Sequence, residues 1–164
     1  MSKAGTYSNQ GDDYQRAIAA NWIIKMMTDS NIEYVQVESN GLSGINEKVT
    51  VDDIVVVYTD GKRLHIQAKK NQPKQREWSI KDLGSELPKI LTQLEQGDHI
   101  TVELYSSTPF GEFATLSEAC QIFSNFSDFK RELSVVNIKA LSKLEDEWER
   151  SDIEIYNLLK RLQI

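Results

Sequence analysis

Residues 51–70 read V-D-D-I-V-V-V-Y-T-D-G-K-R-L-H-I-Q-A-K-K, and the pairing of this stretch decides the fold. Two runs rich in β-branched residues meet at Asp60-Gly61, a strong short-range signal for an antiparallel hairpin. One run starts with two acids, Asp52 and Asp53, and the other ends in Gln67-Ala68-Lys69. Folding the hairpin brings those ends together, because residues equidistant from the turn lie opposite one another. Carboxylate, amide and ammonium then share one small space. A two-residue turn sets Asp52 on the face of Gln67 and Lys69, whereas a three-residue turn with a bulge sets Asp53 there. Sequence leaves both registers open.

Around the hairpin, the chain of 164 residues with 40% hydrophobic content suits one domain with a single core. No stretch approaches the ~20 apolar residues of a membrane span, and the start M-S-K-A-G-T-Y-S-N-Q lacks a signal peptide's apolar run. One cysteine, Cys120, excludes an internal disulfide and fits a reducing, cytoplasmic setting. With two histidines beside it, a structural zinc site of the usual kind cannot be assembled.

Net charge is −6, which alone argues against nucleic acid. Its distribution argues the other way. Lys62, Arg63, Lys69, Lys70, Lys74 and Arg76 form a basic run with no acid between them; setting those six aside leaves 13 Lys and Arg against 25 Asp and Glu, a balance of −12. Local charge governs phosphate contact. Lys70, Lys74 and Arg76 are the expected DNA-binding residues.

In chain order, residues 1–10 are polar and expected to be a mobile N-terminus. A helix is expected from Gly11, capped by Asp12 or Asp13 and largely buried through Tyr14, Ile18, Trp22, Ile24, Met26 and Met27. Residues 32–38 alternate as a strand with Glu38 at its exit. Residues 39–50 form a glycine-containing loop of functional length. After the hairpin, Ser79 and Asp82 signal a helix start, and Leu83, Leu87, Ile90, Leu91 and Leu94 give an apolar stripe that Pro88 kinks or restarts near Ser85. Gly97 suits a C-cap, and residues 99–106 alternate as a further strand. From Thr115 onward the pattern is helical, ending in a last helix through Leu162. The expected fold is α/β, a mixed central sheet flanked by helices: a core over 11–110 and a helical C-terminal extension of the same domain over 111–164.

The chemistry these residues suit is metal-dependent phosphodiester hydrolysis. A phosphodiester repels hydroxide, and a divalent cation polarises the phosphoryl oxygens and acidifies water. Mg²⁺ takes oxygen ligands and keeps several waters, so few protein ligands suffice. Asp53 and Glu38 offer carboxylates, Gln67 a side-chain oxygen and Ala68 a carbonyl. Lys69 projects to the same face as Gln67, where its ammonium can orient water and stabilise growing charge. The bland alternatives are that the paired acids cap a solvated edge, Glu38 merely ends a strand, the basic run is solvated surface, and Trp22, Trp78 and Trp148 anchor cores rather than stack on bases. His65 and His99 lack a cysteine or serine partner for a catalytic triad.

Glu38, Asp52-Asp53-Ile54 and Gln67-Ala68-Lys69, in that order on three strands, resemble the core of the PD-(D/E)xK (restriction-endonuclease-like) superfamily in its Mrr-like Q-x-K form. More narrowly, G-D-D-Y-Q-R-A-I-A-A, V-D-D-I-V-V-V, H-I-Q-A-K-K and W-S-I-K-D-L are similar to the N-terminal double-stranded-DNA nuclease domain of bacterial anti-phage effectors, found in CBASS effectors and antiviral STAND NTPases. The resemblance implies an endonuclease using Mg²⁺, with Mn²⁺ as substitute. Asp53 would be the metal-binding aspartate, Gln67 the residue standing where others have an acid, Lys69 the catalytic lysine and Glu38 the supporting acid. Gln15 stands where some relatives carry a glutamate. The resemblance also implies a module of a longer polypeptide that a C-terminal sensor region activates by homo-oligomerisation. The competing expectation is a catalytically inactive nucleic-acid-binding or oligomerisation module on the same fold.

Overall fold

A computed structural model describes residues 3–38, 41–42, 47–69 and 76–164, with side chains from residue 13 onward. Lys70 and Lys74 therefore lie outside the described residues. The chain is α/β. A mixed five-stranded sheet, ordered β1-β2-β3-β4-β5, holds β1 (Ile32–Val37), β2 (Ile54–Tyr58), β3 (Arg63–Lys69), β4 (Ile100–Ser106) and β5 (Leu162–Gln163). The first three pair antiparallel, and β3-β4 and β4-β5 pair parallel. Helices α1 (Lys3–Thr28), α2 (Leu87–Leu94), α3 (Gly111–Ile122), α4 (Phe126–Glu132), α5 (Val135–Trp148) and α6 (Asp152–Leu159) flank it.

The hairpin turn decides the register. Ile54 pairs with Ile66 and Val56 with Leu64, while the Tyr58 N–H donates to the Lys62 carbonyl at 2.9 Å. Three residues, Thr59, Asp60 and Gly61, thus close the turn, and Gly61 takes the left-handed φ of 83° that a three-residue hairpin with a bulge requires. Continuing the pairing past Ile54 sets Asp53 opposite Gln67. Of the two registers open in the sequence, the one that selects Asp53 is present.

Period 2 along β3 separates two environments. Leu64 and Ile66 join Ile54 and Val56 under α1, whose Ile18 and Trp22, with Tyr14 and Met26, recur every four residues and so share one helix face. His65, Gln67 and Lys69 point to the opposite side. There a larger core joins Val51, Val102 and Leu104 to α2, α3, α5 and α6 through Leu87, Phe113, Leu144 and Leu159. Sheet and C-terminal helices thus share one hydrophobic core.

Several expectations need correction. The first helix begins at Lys3 rather than Gly11, so residues 3–10 have helical backbone and Asp13 lies inside the helix instead of capping it. Its outer face is not buried: Ile24 and Met27 are 61% and 78% exposed. The stripe after Ser79 restarts, one of the two outcomes expected at Pro88, but at Leu87 rather than near Ser85. Ser79 and Asp82 form a capping box on a single 3₁₀ turn (Ile80–Leu83), and α2 restarts at Leu87 with Pro88 in its first turn, where proline's missing N–H has no intrahelical partner to lose. Gly97 follows the helix by more than a cap position, since α2 ends at Leu94 and Glu95 caps it. The helical pattern expected from Thr115 starts earlier, at Gly111. The last helix stops at Leu159, and Leu162–Gln163 are a strand on β4. Arg161 fixes that strand by donating to the carbonyls of Leu94, Gly97 and Ile100 at 2.8, 2.7 and 3.1 Å.

Candidate active site

Asp53 sits just before β2, and its Oδ2 accepts from Gln67 Nε2 at 2.5 Å and from the Ala68 N–H at 2.7 Å. In an antiparallel ladder a residue's N–H and C=O point to the same neighbour. The Ala68 carbonyl is therefore directed with its N–H toward the Asp53 side, past the last β2 pairing at Ile54. Helix α1 reaches the same place, because Gln15 Nε2 donates to the Asp53 carbonyl at 3.2 Å. Burial raises the Asp53 carboxyl above its ordinary value; the Ala68 N–H and Lys69 oppose that shift, while Asp52 and Glu86 add to it.

Lys69, two residues past Gln67 on the same face, donates to Glu86 Oε1 at 2.7 Å. Glu86 precedes α2 and is 8% exposed. Burial pushes its carboxyl upward, but the hydrogen bond and charge of Lys69, helped by Lys89, outweigh that and hold it below its ordinary value. Sequence reasoning missed Glu86. Its 17-residue separation from Lys69 leaves no periodic signal, although an acid just ahead of a restarted helix was visible.

Glu38 is placed differently. Its backbone N–H donates to the Asp53 carbonyl at 2.9 Å, but its side chain is exposed and its φ of 53° turns the chain out of β1. Its tie to the site runs through the main chain rather than through the carboxylate.

A second buried polar group lies one pleat away on β3. His65, fully buried, has Nε2 2.8 Å from Glu47 Oε1, and Arg63 pairs with Glu47 Oε2. Gln93 of α2 donates to Glu47 Oε1 at 2.9 Å and accepts from the Thr50 N–H at 2.8 Å. Burial raises Glu47, but hydrogen bonding and charge from His65, together with Arg63, hold its carboxyl below the ordinary value. This network moors residues 47–51, the lead into Asp52 and Asp53, to α2 and β3. His65 thus has an acidic partner that an aperiodic loop had concealed.

The basic run is less free than its sequence suggests. Lys62 pairs with Asp60, Arg63 with Glu47, Lys69 with Glu86 and Arg76 with Asp82. Trp22 and Trp148 are core residues, and half-buried Trp78 stacks on Phe110 and donates to Ser106 Oγ. Cys120 is buried, which pushes its thiol up to about 12 and leaves no thiolate nucleophile.

The donor set suits a hard cation. Among the described residues no three His, Cys, Asp or Glu side chains come together as a metal cage. Asp53, however, stands beside the buried Gln67 Oε1, which has no hydrogen-bond partner, and beside the Ala68 carbonyl. These are oxygen donors of the kind Mg²⁺ accepts alongside its waters. An orphaned buried oxygen is rare enough to need a partner such as an ion or water. No helix among the described residues is long and apolar enough to cross a membrane. In comparisons with protein-family models, curated proteins and solved structures, the chain matched none.

Proposed function

We propose that the chain is a Mg²⁺-dependent endonuclease domain that hydrolyses phosphodiester bonds of double-stranded DNA. The observation that carries the proposal is the convergence of Asp53, Gln67, Ala68 and Lys69 at one end of the hairpin, with Gln67 Oε1 buried and unpartnered. Asp53, Gln67 Oε1 and the Ala68 carbonyl would hold Mg²⁺ or Mn²⁺. When bound, the cation supplies charge neutralisation at the phosphoryl oxygens and a more acidic water. Lys69 brings an ammonium to the same face, where it orients the attacking water and offsets charge developing on phosphorus. Gln67 and the Ala68 N–H fix the Asp53 carboxylate, so little rearrangement is needed to present it.

The resemblance to effector nucleases extends the proposal: a module of an anti-phage defence protein acting in the cytoplasm, activated when a C-terminal sensor region draws copies together. Lys70, Lys74 and Arg76 would contact the DNA backbone. A second reading draws on the Lys69–Glu86 ion pair, which occupies the catalytic ammonium: a non-cleaving DNA-binding or oligomerisation module. Plasmid digestion in Mg²⁺ and in EDTA, with the chain fused to an oligomerising scaffold, separates the two. Mg²⁺-dependent cutting lost in Asp53→Ala and Lys69→Ala supports the nuclease; DNA binding without cutting in either buffer supports the second reading.

A further inference from the structure

We propose that Glu86, rather than Glu38, is the second carboxylate a divalent cation meets beside Asp53 and Gln67. The inference rests on the metal-dependent reading above and names a ligand that reading lacks.

Five buried side-chain polar atoms among the described residues have no hydrogen-bond partner, and two of them are Gln67 Oε1 and Glu86 Oε2. Both are oxygens, and both belong to residues tied to the Asp53 cluster, Gln67 by its bond to Asp53 and Glu86 by its bond to Lys69. Burying an acceptor without a partner costs roughly 1–3 kcal/mol, more for a charged group. Gln67 Oε1 beside Asp53, and Glu86 Oε2 on the carboxylate that Lys69 engages, point to a cation that satisfies both. Glu86 Oε2 has a long ion-pair contact with Lys89 Nζ, at 3.5 Å.

Local structure explains why Glu86 is available. It occupies the N-cap position of α2, yet its side chain makes no capping hydrogen bond. Its Oε1 accepts instead from Lys69, with Ser85 Oγ at 3.3 Å. Its charge also reaches Asp53, where it adds to the upward shift. Glu38 has none of these features, since its side chain is exposed.

A consequence concerns Lys69. Without a cation, its ammonium neutralises Glu86. A divalent cation takes over that role and releases Lys69 Nζ toward a substrate phosphate, so Lys69 and the metal compete for one carboxylate. Mutating Lys69 to a neutral residue then strengthens metal binding even while it removes the catalytic ammonium.

The test is calorimetric titration of the purified chain with Mn²⁺ in the absence of DNA, with thermal melts to confirm folding. Glu86→Gln is expected to weaken binding at least tenfold and Glu38→Gln to leave it unchanged. Lys69→Gln is expected to tighten it several-fold, and Lys69→Gln with Glu86→Gln to lose that gain. If Glu86→Gln melts early, Glu86→Asp serves, because it keeps the charge and withdraws the carboxylate by one methylene; weakened binding supports the inference and unchanged binding overturns it. Wild-type affinity in a folded Glu86→Gln protein, with binding lost in Asp53→Asn, overturns the role of Glu86 and leaves the metal-dependent reading standing. No Mn²⁺ binding by the wild-type chain, or binding indifferent to Asp53→Asn, overturns both.

Discussion

Gln67 Nε2 donates to Asp53 Oδ2 at 2.5 Å across the open end of the β2-β3 hairpin, so an amide stands against the one carboxylate that the hairpin register selects. That contact follows from the three-residue turn. Shortening the turn by one residue would move every side chain of one strand to the other face and bring Asp52 to this position instead.

The ionised Asp53 carboxylate is expected to destabilise the fold when no cation is present. Burial raises its folded pKa above the ordinary value of 3.8, so the folded state binds the proton more tightly than the unfolded one. Stability therefore falls as pH rises from about 3.8 through the folded value, and the full penalty persists above it. Asp53→Asn keeps an oxygen for Gln67 and Ala68 without the charge. It is expected to melt higher than wild type at neutral pH in EDTA, with the two curves converging in acid. Differential scanning calorimetry across pH checks this, and a lower melting point for Asp53→Asn at neutral pH contradicts it.

The Glu47 network should be costly to break. Glu47→Ala leaves Arg63 and fully buried His65 without their anion, and removing one partner of a buried pair costs about 3–5 kcal/mol. The more exposed Arg150–Glu95 pair gives the contrast, with Glu95→Ala expected to cost under about 1 kcal/mol. Urea unfolding with an unchanged m-value measures both. Similar losses from the two substitutions would show that the network does not moor residues 47–51.

Much of this arrangement was legible in sequence. The Asp60-Gly61 turn, the period-2 runs and the Q-A-K ending located Gln67, Lys69 and the Asp52-Asp53 pair, because strand chemistry is local and alternation assigns faces, but the choice of Asp53 waited on the turn length. Glu86, Glu47 and β5 were not legible. Glu86 meets Lys69 only because the 3₁₀ turn and Pro88 restart the helix at Leu87; Glu47 lies in an aperiodic loop; and Leu158, Leu159 and Leu162 keep helical spacing although the helix ends at Leu159. The ion pairs of Arg63, Lys69 and Arg76 were hidden for a related reason, since their acids, Glu47, Glu86 and Asp82, come from outside the basic run.

Arg76 gives a test of the proposed DNA contacts. Its guanidinium lies 2.8 Å from Asp82 Oδ1, and hydrogen bonds from Ser79, helped by Arg76, hold the Asp82 carboxyl at about 2. Asp82 is thus ionised at every pH where DNA binding is measured. Asp82→Asn removes the competing charge and is expected to raise affinity for double-stranded DNA and steepen its salt dependence by up to about one unit of slope. An unchanged slope would place Arg76 outside the DNA path.

The most direct test of the central claim is conversion of supercoiled plasmid to nicked and linear forms by the scaffold-oligomerised chain in Mg²⁺, compared with EDTA and with folded Lys69→Ala. The expected result is Mg²⁺-dependent conversion that falls at least about a hundredfold in Lys69→Ala. Equal conversion by Lys69→Ala, or conversion that persists in EDTA, would contradict it.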